Sequence, residues 1–359
     1  MVEQFKVRAE DAVEIEEQKL RDTVTRIFCK MNVPFEDSCL AADVLISADL
    51  RGVDTHGVSN LLRNYVERYE SGNINPHPNW RVVREAPSTA TIDADRGHGI
   101  IVTPKAMDIA IGKAKKTGVG MVTIGNARHL AMAGYHAMLA LKHDMIGVCM
   151  TSCPPSVLPT FGGEPRLGTN PIAFAIPANE EPPFVFDGAT SVIPDNRVHI
   201  ARRLGVDLLP GWLGDDRGNP VMEPVPAPSP HRLLPLGSIR ETGSHKGYSL
   251  GCIVDVLSSL LSGNTFGAIR GRGTFAHYVA AYSVDAFTDV AQFKDEMDSF
   301  LRTLKQTPPA PGHERVLVAG QLEWESEKER LLKGIPLHRE VVQWFQETCY
   351  RLDIPFNLV

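Results

Sequence analysis

No run of apolar residues in this 359-residue sequence approaches the roughly 20 that a membrane-spanning helix needs. No basic surplus exists either: 37 Lys and Arg stand against 43 Asp and Glu, a formal net charge of -6. A nucleic-acid binder needs a cationic stripe to neutralise phosphates, so that class is excluded. Only 6 cysteines occur, at Cys29, Cys39, Cys149, Cys153, Cys252 and Cys349, and none forms a C-x-x-C pair. Disulfide scaffolds are shorter and denser in cysteine, so free thiols in a reducing compartment are expected. Met1 to Lys6 lacks the apolar centre of a signal peptide, and a cytoplasmic location is expected. Absent too are G-x-x-x-x-G-K-[ST], H-E-x-x-H and G-x-S-x-G, which carry phosphate, zinc and serine-nucleophile chemistry.

What is present is enough apolar residue, 43%, to build a large core, and a chain of this length tends to divide. Leu20, Val24, Ile27, Phe28 and Met31 recur at helical spacing, with Pro34 as a stop. Asp37 or Ser38 would cap a second helix carrying Leu40, Val44 and Ala48; a third carries Leu61, Leu62, Tyr65, Val66 and Tyr69. From about Trp80 the texture changes. Strands are expected over 89–92, 119–124, 145–151, 172–176 and 184–186, with helices over 107–117 and 132–141 between them. Residues 205–245 are rich in Pro and Gly and read as an irregular excursion. A helix capped by Ser244 follows; Leu250, Ile253, Val254, Leu257, Leu260 and Leu261 surround it, which predicts a buried helix ending at Gly263. After Phe287 the chain is polar and helical. The expected division is a mainly helical domain from 1–78 plus about 286–359 and an α/β domain over 79–285.

Four constellations suit chemistry. Asp49 to Gly57 places two acids, Arg51, Thr55 and His56 at a helix end; a histidine there can move a proton near neutral pH, and an arginine can hold a carboxylate. A polar turn whose Asp and Thr only cap the next helix is the alternative. Asn126 to His129 lies between a strand and a helix, where α/β folds collect ligand contacts; a surface histidine is the alternative. Gly162-Gly163, Gly168-Thr169-Asn170-Pro171 and Asp187-Gly188-Ala189-Thr190-Ser191 suit a pyrophosphate or ribose, or are ordinary turns. Gly243 to Tyr248 puts Lys246 at a helix start, which favours an anion, or is a capped start with a solvated lysine. His129, His136 and His143 recur every seven residues, about 10 Å apart on a helix, too far to share a metal, so none is expected. A G-x-G-x-x-A at Gly271, Gly273 and Ala276 precedes a strand rather than opening a helix, which argues against a Rossmann turn.

Taken in order, these segments resemble the malate/L-lactate dehydrogenase family of the second type, with its ureidoglycolate, sulfolactate and diketogulonate enzymes. The resemblance rests on Leu50 to Gly57, Asn126 to His129, Gly168 to Phe174, Asp187 to Ser191 and His245 to Tyr248, and covers about residues 15–345. It implies a non-Rossmann α/β nicotinamide-binding fold with a mixed sheet, on which helices from both chain ends pack. It implies a homodimer with active sites near the subunit interface. The implied activity is NAD(P)-dependent hydride transfer between a small 2-hydroxy acid and its 2-keto acid, with NAD preferred over NADP. His56 and His129 become the proton-transfer candidates, with Arg51 beside them, and Thr55, Asn60 and Arg128 the substrate-binding candidates. Ser152, Cys153, Thr169, Asn170, Asp187, Gly188, Ala189, His245, Lys246 and Gly247 are the cofactor candidates, joined by Gly312, His313 and Glu314. The sequence departs from the family where Asn60 replaces a usual arginine and where Asn126-Ala127-Arg128-His129-Leu130-Ala131 replaces Asn-Ser-Asn-His-Phe-Gly. Arg128 would then supply the missing positive charge. A cyclic imino-acid reductase on the same scaffold, or a cofactor-binding relative without turnover, are the alternatives.

Overall fold

The computed structural model describes residues 3–270 and 273–359. A short strand, β1 (Ala12–Ile15), leads into α1 (Glu17–Lys30), α2 (Phe35–Leu50) and α3 (Val58–Glu70). The three helices bury the stripes that their spacing predicts: Leu20, Val24, Ile27 and Phe28 meet Val44, Leu45, Leu62, Tyr65 and Tyr69 in one core. α2 begins earlier than expected. Pro34, lacking an N–H and with φ near -54°, is its N-cap, while Ser38, an expected cap, turns its hydroxyl to Val33 O at 3.1 Å.

The second layer is a seven-stranded sheet among the described residues. Its strands are β2 (Arg81–Glu85), β3 (Thr89–Asp93), β4 (Val119–Ala127), β5 (Met145–Ser152), β6 (Ile172–Ile176), β7 (Phe184–Gly188) and β8 (Phe275–Ser283), in the order β2-β3-β4-β8-β5-β6-β7. Only β3 and β4 run parallel, joined through α4 (Gly99–Thr117); every other neighbouring pair is antiparallel. The sheet is therefore mixed, unlike the mostly parallel Rossmann sheet. Helix α4 lays Val102, Ala106, Ala110 and Ala114 on Val122, Ile124 and Val279. Expected as one helix over 132–141, the next segment is α5 (Ala133–Met138) running into a tighter turn over Leu139–His143. Register then decides where the site forms. Ala127 pairs with Phe275, Ser152 with Ala276, Met150 with Ile172, and Ile172 with Gly188. The loops after β4, β5 and β7 and the loop before β6 thus emerge at one end of the sheet.

Just ahead of the irregular excursion lies a helix that the sequence pattern hid, α6 (Asn196–Leu204). Next comes α7 (Ser244–Val254), continued by a π-helical turn over Asp255–Leu260, and a short α8 (Gly267–Arg270). The expected buried helix is corrected here. Its inward face is Ser244, Gly247, Gly251, Val254, Asp255, Ser258 and Ser259, while Leu250, Ile253, Val256, Leu260 and Leu261 face outward. Small residues let this helix sit close to the sheet, so its large apolar ones point away. Gly243, left-handed at φ 100°, is its N-cap in place of the expected Ser244. Gly271 of the glycine fingerprint lies outside the described residues, and the segment after it is strand β8.

The chain ends with α9 (Val290–Lys305), α10 (Gln321–Lys333), β9 (Ile335–His338) and α11 (Arg339–Arg351). The expected division at about 286 falls just before α9, but α9 packs on the α/β part. Lys294 pairs with Asp144 at 3.0 Å, and Asp298 accepts the amides of Asn179, Glu180 and Glu181. From Ile335 onward the chain joins the first hydrophobic core, where β9 pairs antiparallel with β1 and Phe345 is fully buried. No helix among the described residues is long and apolar enough to cross a membrane.

Candidate active site

The turn between α2 and α3 is built around Asp49. This carboxylate is 1% exposed and accepts the Val58 amide at 2.9 Å, so it caps α3 from the last turn of α2. A Cβ at Gly57 would lie 1.9 Å from Asp49 Oδ1, which is why a glycine stands there. Burial raises the Asp49 carboxyl to about 8, against the lowering effect of the Val58 amide. Helix α10 straps the turn from outside: Arg330 donates to Asp49 O and to Asp54 Oδ1, the latter at 2.6 Å, and Arg51 pairs with Glu327 at 2.9 Å. From the other side α6 holds it, Asn196 donating to Thr55 O and Arg203 to Ser59 O, both at 2.7 Å. Within this frame Thr55 Oγ1 lies 2.8 Å from His56 Nδ1.

His129 arrives from the end of β4. Tyr65 of α3 brings its hydroxyl to 2.6 Å from His129 Nδ1, and the Ala131 amide points at the same nitrogen from 3.4 Å. The rings of His56 and His129 stack, with centroids 5.9 Å apart and planes 20° from parallel. Each ring has its Nδ1 occupied, so Nε2 is the nitrogen left to meet a substrate oxygen. Burial lowers His56 to about 4, helped by the Arg197 charge; burial also takes His129 well below the usual histidine range, followed by His56 and Arg68. Both imidazoles are therefore neutral near pH 7: the Ala131 amide at Nδ1 leaves the His129 proton on Nε2, able to donate, while His56 with its Nδ1–H toward Thr55 Oγ1 has Nε2 free to accept. The Tyr65 phenol, pushed up by burial, keeps its proton.

The remaining candidates are distributed as follows. Arg51 is committed to Glu327, and Arg128 donates to Asn73 O at 2.8 Å and Ala127 O at 3.0 Å. Asn60 donates to Asp54 O at 2.6 Å, leaving its buried Oδ1 without a partner among the described residues. Ser152, Cys153 and Asn170 converge: the Cys153 amide donates to Asn170 Oδ1 at 2.9 Å, and Asn170 Nδ2 donates to Gly251 O at 2.9 Å. Asp255 accepts from Ser152 at 2.5 Å and closes this buried cluster beneath α7. Thr169 O accepts the Thr190 amide at 2.9 Å, which ties the Gly188-Ala189 loop to it. Asp187 accepts the Gly134 amide at 2.6 Å, and burial raises its carboxyl to about 6. Lys246 is exposed in the first turn of α7, where His245 contacts Arg240 at 2.9 Å, and Gly247 packs on Leu236. Gly312, His313 and Glu314 lie apart, in an exposed loop that returns to β7 where Val185 donates to Ala319 O.

The family model for malate/L-lactate dehydrogenase matches residues 15–346. The chain belongs to that family. A malate dehydrogenase of Pyrococcus abyssi is 38% identical over 351 residues, covering 96% of each chain. The L-sulfolactate dehydrogenase of Methanocaldococcus jannaschii is 35% identical over 331 residues, 90% of this chain and 93% of that one. The solved malate dehydrogenase of Pyrococcus horikoshii has a TM-score of 0.90 at 35% identity, covering 98% of this chain and 99% of the other. The fold is thus the one the resemblance implied, with helices of both chain ends on a mixed, non-Rossmann sheet.

Some residues packed around the two histidines carried no signal in the sequence. Tyr65 read only as one residue of an apolar stripe. His277 receives no local motif, yet it bridges Arg128 O at 2.9 Å and Thr151 Oγ1 at 2.7 Å and so fixes the backbone before His129. His98 sits edge-on to Tyr65 at 4.1 Å and bonds Tyr69. Their role comes from strands and helices distant in sequence. Asp255 was read as part of an apolar helix, although a lone acid on such a helix needs a partner and so flags a polar cluster.

Proposed function

We propose that this chain moves hydride between NAD(P) and C2 of a small 2-hydroxy or 2-keto acid, with His56 and His129 handling the proton. In oxidation, hydride leaves C2 while the hydroxyl proton passes to His56 Nε2, and His129 Nε2–H donates a hydrogen bond to the same oxygen. The products are the 2-keto acid, the reduced cofactor and one proton. The observation that carries this reading is the stacked pair of neutral imidazoles, each with Nδ1 tied off, at the sheet end where the candidate cofactor loops meet. The nicotinamide, when bound, supplies the two-electron acceptor. The donor set suits it: the Lys246 cation at the start of an 11-residue helix favours a pyrophosphate, and the Asn170 and Asp187 loops offer small, polar surfaces. Ser152, Cys153, Thr169, Gly188, Ala189, His245 and Gly247 are proposed to complete this cofactor contact, with NAD preferred.

The same reading includes a homodimer in a reducing compartment. Its support is the outward apolar face of α7 and the following turn, where Leu250, Ile253, Val256, Leu260 and Leu261 are 37% to 58% exposed. Cys29, Cys39, Cys149, Cys252 and Cys349 carry free thiols. A panel of 2-keto acids and cyclic imines, run with NADH and NADPH at the nicotinamide absorbance, tests the activity. Turnover of 2-keto acids that collapses in His56→Ala and His129→Ala is the expected result. Full kcat in both variants would refute the proton assignment, and turnover of imines alone would refute the substrate class.

A further inference from the structure

The helices that flank the His56 turn leave a buried donor and a buried acceptor without partners among the described residues. Among the described residues, Arg197 Nη1 and Asn60 Oδ1 are both shielded from solvent with no hydrogen-bond partner. Buried polar atoms are rarely left so, and an unpaired donor beside a reactive centre marks a place for a ligand. The two arginines first expected to hold the substrate are already spent, Arg51 on Glu327 and Arg128 on Asn73 and Ala127. The family's usual arginine four residues after the histidine is here Asn60.

Arg197 occupies the right ground. Its neighbour Asn196 donates to Thr55 O, next to His56, so the first turn of α6 abuts the histidine loop. Arg203, further along α6, anchors the same helix to Ser59 O. The guanidinium lies over the Phe5 ring, 5.2 Å from its centroid, and Phe5 stacks on Trp212 at 5.4 Å. That support fixes one face of a planar fork and leaves its edge for hydrogen bonds. Arg197 is also the one charge that lowers His56 beyond burial. Among the described residues Arg68 Nη1 is likewise buried and unpaired, but its charge acts on His129, His98 and Tyr65, and no hydrogen bond there ties it to the His56 loop.

We infer that Arg197 binds the substrate carboxylate and takes the part of the arginine that Asn60 replaces. A two-pronged grip there would set C2 and its oxygen toward the Nε2 atoms of His56 and His129, and Asn60 Oδ1 would accept from a substrate hydroxyl. This inference rests on the proposed 2-keto acid chemistry, so its test separates the two. Steady-state kinetics of Arg197→Met and Arg197→Lys would be compared with wild type on a 2-keto acid and on its neutral amide. In parallel, calorimetry would follow oxamate binding to each protein in the presence of NADH. The expected result is a loss in kcat/KM on the order of 100-fold for Arg197→Met, mostly in KM, confined to the carboxylate substrate. Arg197→Lys and added guanidinium would each restore part of it. Unchanged kcat/KM, or an equal loss for acid and amide, would overturn the assignment. Should wild type reduce no 2-keto acid, the activity reading fails, and oxamate affinity alone decides: equal affinity in wild type and Arg197→Met overturns the inference.

Discussion

Replacing Asp49 by Asn removes the one carboxyl whose protonation the fold couples to the His56 loop. In the folded chain burial raises this carboxyl to about 8 from 3.8, and the group is almost wholly enclosed. A folded pKa above the unfolded one means that the folded chain holds a proton the unfolded chain has released. Stability from this group is therefore complete below about pH 4 and is lost as pH rises through about 8. At ~1.36 kcal/mol per unit, the wild type should lose roughly 4 kcal/mol between pH 5 and pH 8 from Asp49 alone. The asparagine oxygen can still accept the Val58 amide, so the variant keeps the cap without the titration. With an unfolding entropy of ~0.75 kcal/mol/K for a chain of this size, that difference is a shift of about 5 °C in Tm. Thermal unfolding of both proteins across this pH range measures it. The hydrogen bonds of Arg330 to Asp49 O and Asp54 are common to both proteins, and the lowering effect of its charge on the Asp49 carboxyl is already contained in the value of about 8. Melting curves that stay parallel from pH 5 to 8 would refute a protonated Asp49.

Three further changes probe the same frame. Tyr65→Phe removes the hydroxyl 2.6 Å from His129 Nδ1 and should lower kcat by roughly 10- to 100-fold with little change in KM, read by steady-state kinetics. Gly57→Ala drives a Cβ to within 1.9 Å of Asp49 Oδ1, and thermal melts should show a loss of ~1–3 kcal/mol; an unchanged melt would mean the turn is more open than described. Ile253→Asp combined with Leu260→Asp places charge on the outward face of α7 and should convert a dimer into a monomer in analytical ultracentrifugation. A dimer that survives both changes would place the interface elsewhere.

Most of the fold could be read from periodicity, because helices with one apolar stripe and short apolar strands announce themselves. The failures share a cause. Strand β2 is exposed at every position, so no alternation marks it. Helix α6 carries Asn196, Arg197, His199, Arg202 and Arg203 in nine residues, a composition that hides its three buried positions. In α7 the pattern of large apolar residues was plain, but which face meets the sheet was decided by glycines and serines, and those looked neutral.

The site shows the same division more sharply. Both histidines stood out, His56 beside Gly57 at a helix end and His129 between a strand and a helix, and the structure stacks them. Arginines did not sort themselves in that way. Arg51 and Arg128 were conspicuous through their neighbours in sequence, while Arg197 lay in a segment with no motif. What separates them is not charge but whether a partner is already present: Glu327 for Arg51, Asn73 and Ala127 for Arg128, and, among the described residues, no hydrogen-bond partner for Arg197 Nη1. Unsatisfied hydrogen-bonding capacity belongs to the assembled fold, since it depends on α10, β4 and α6 reaching the same loop from three directions. A ligand-binding arginine is thus best recognised by what it fails to bond.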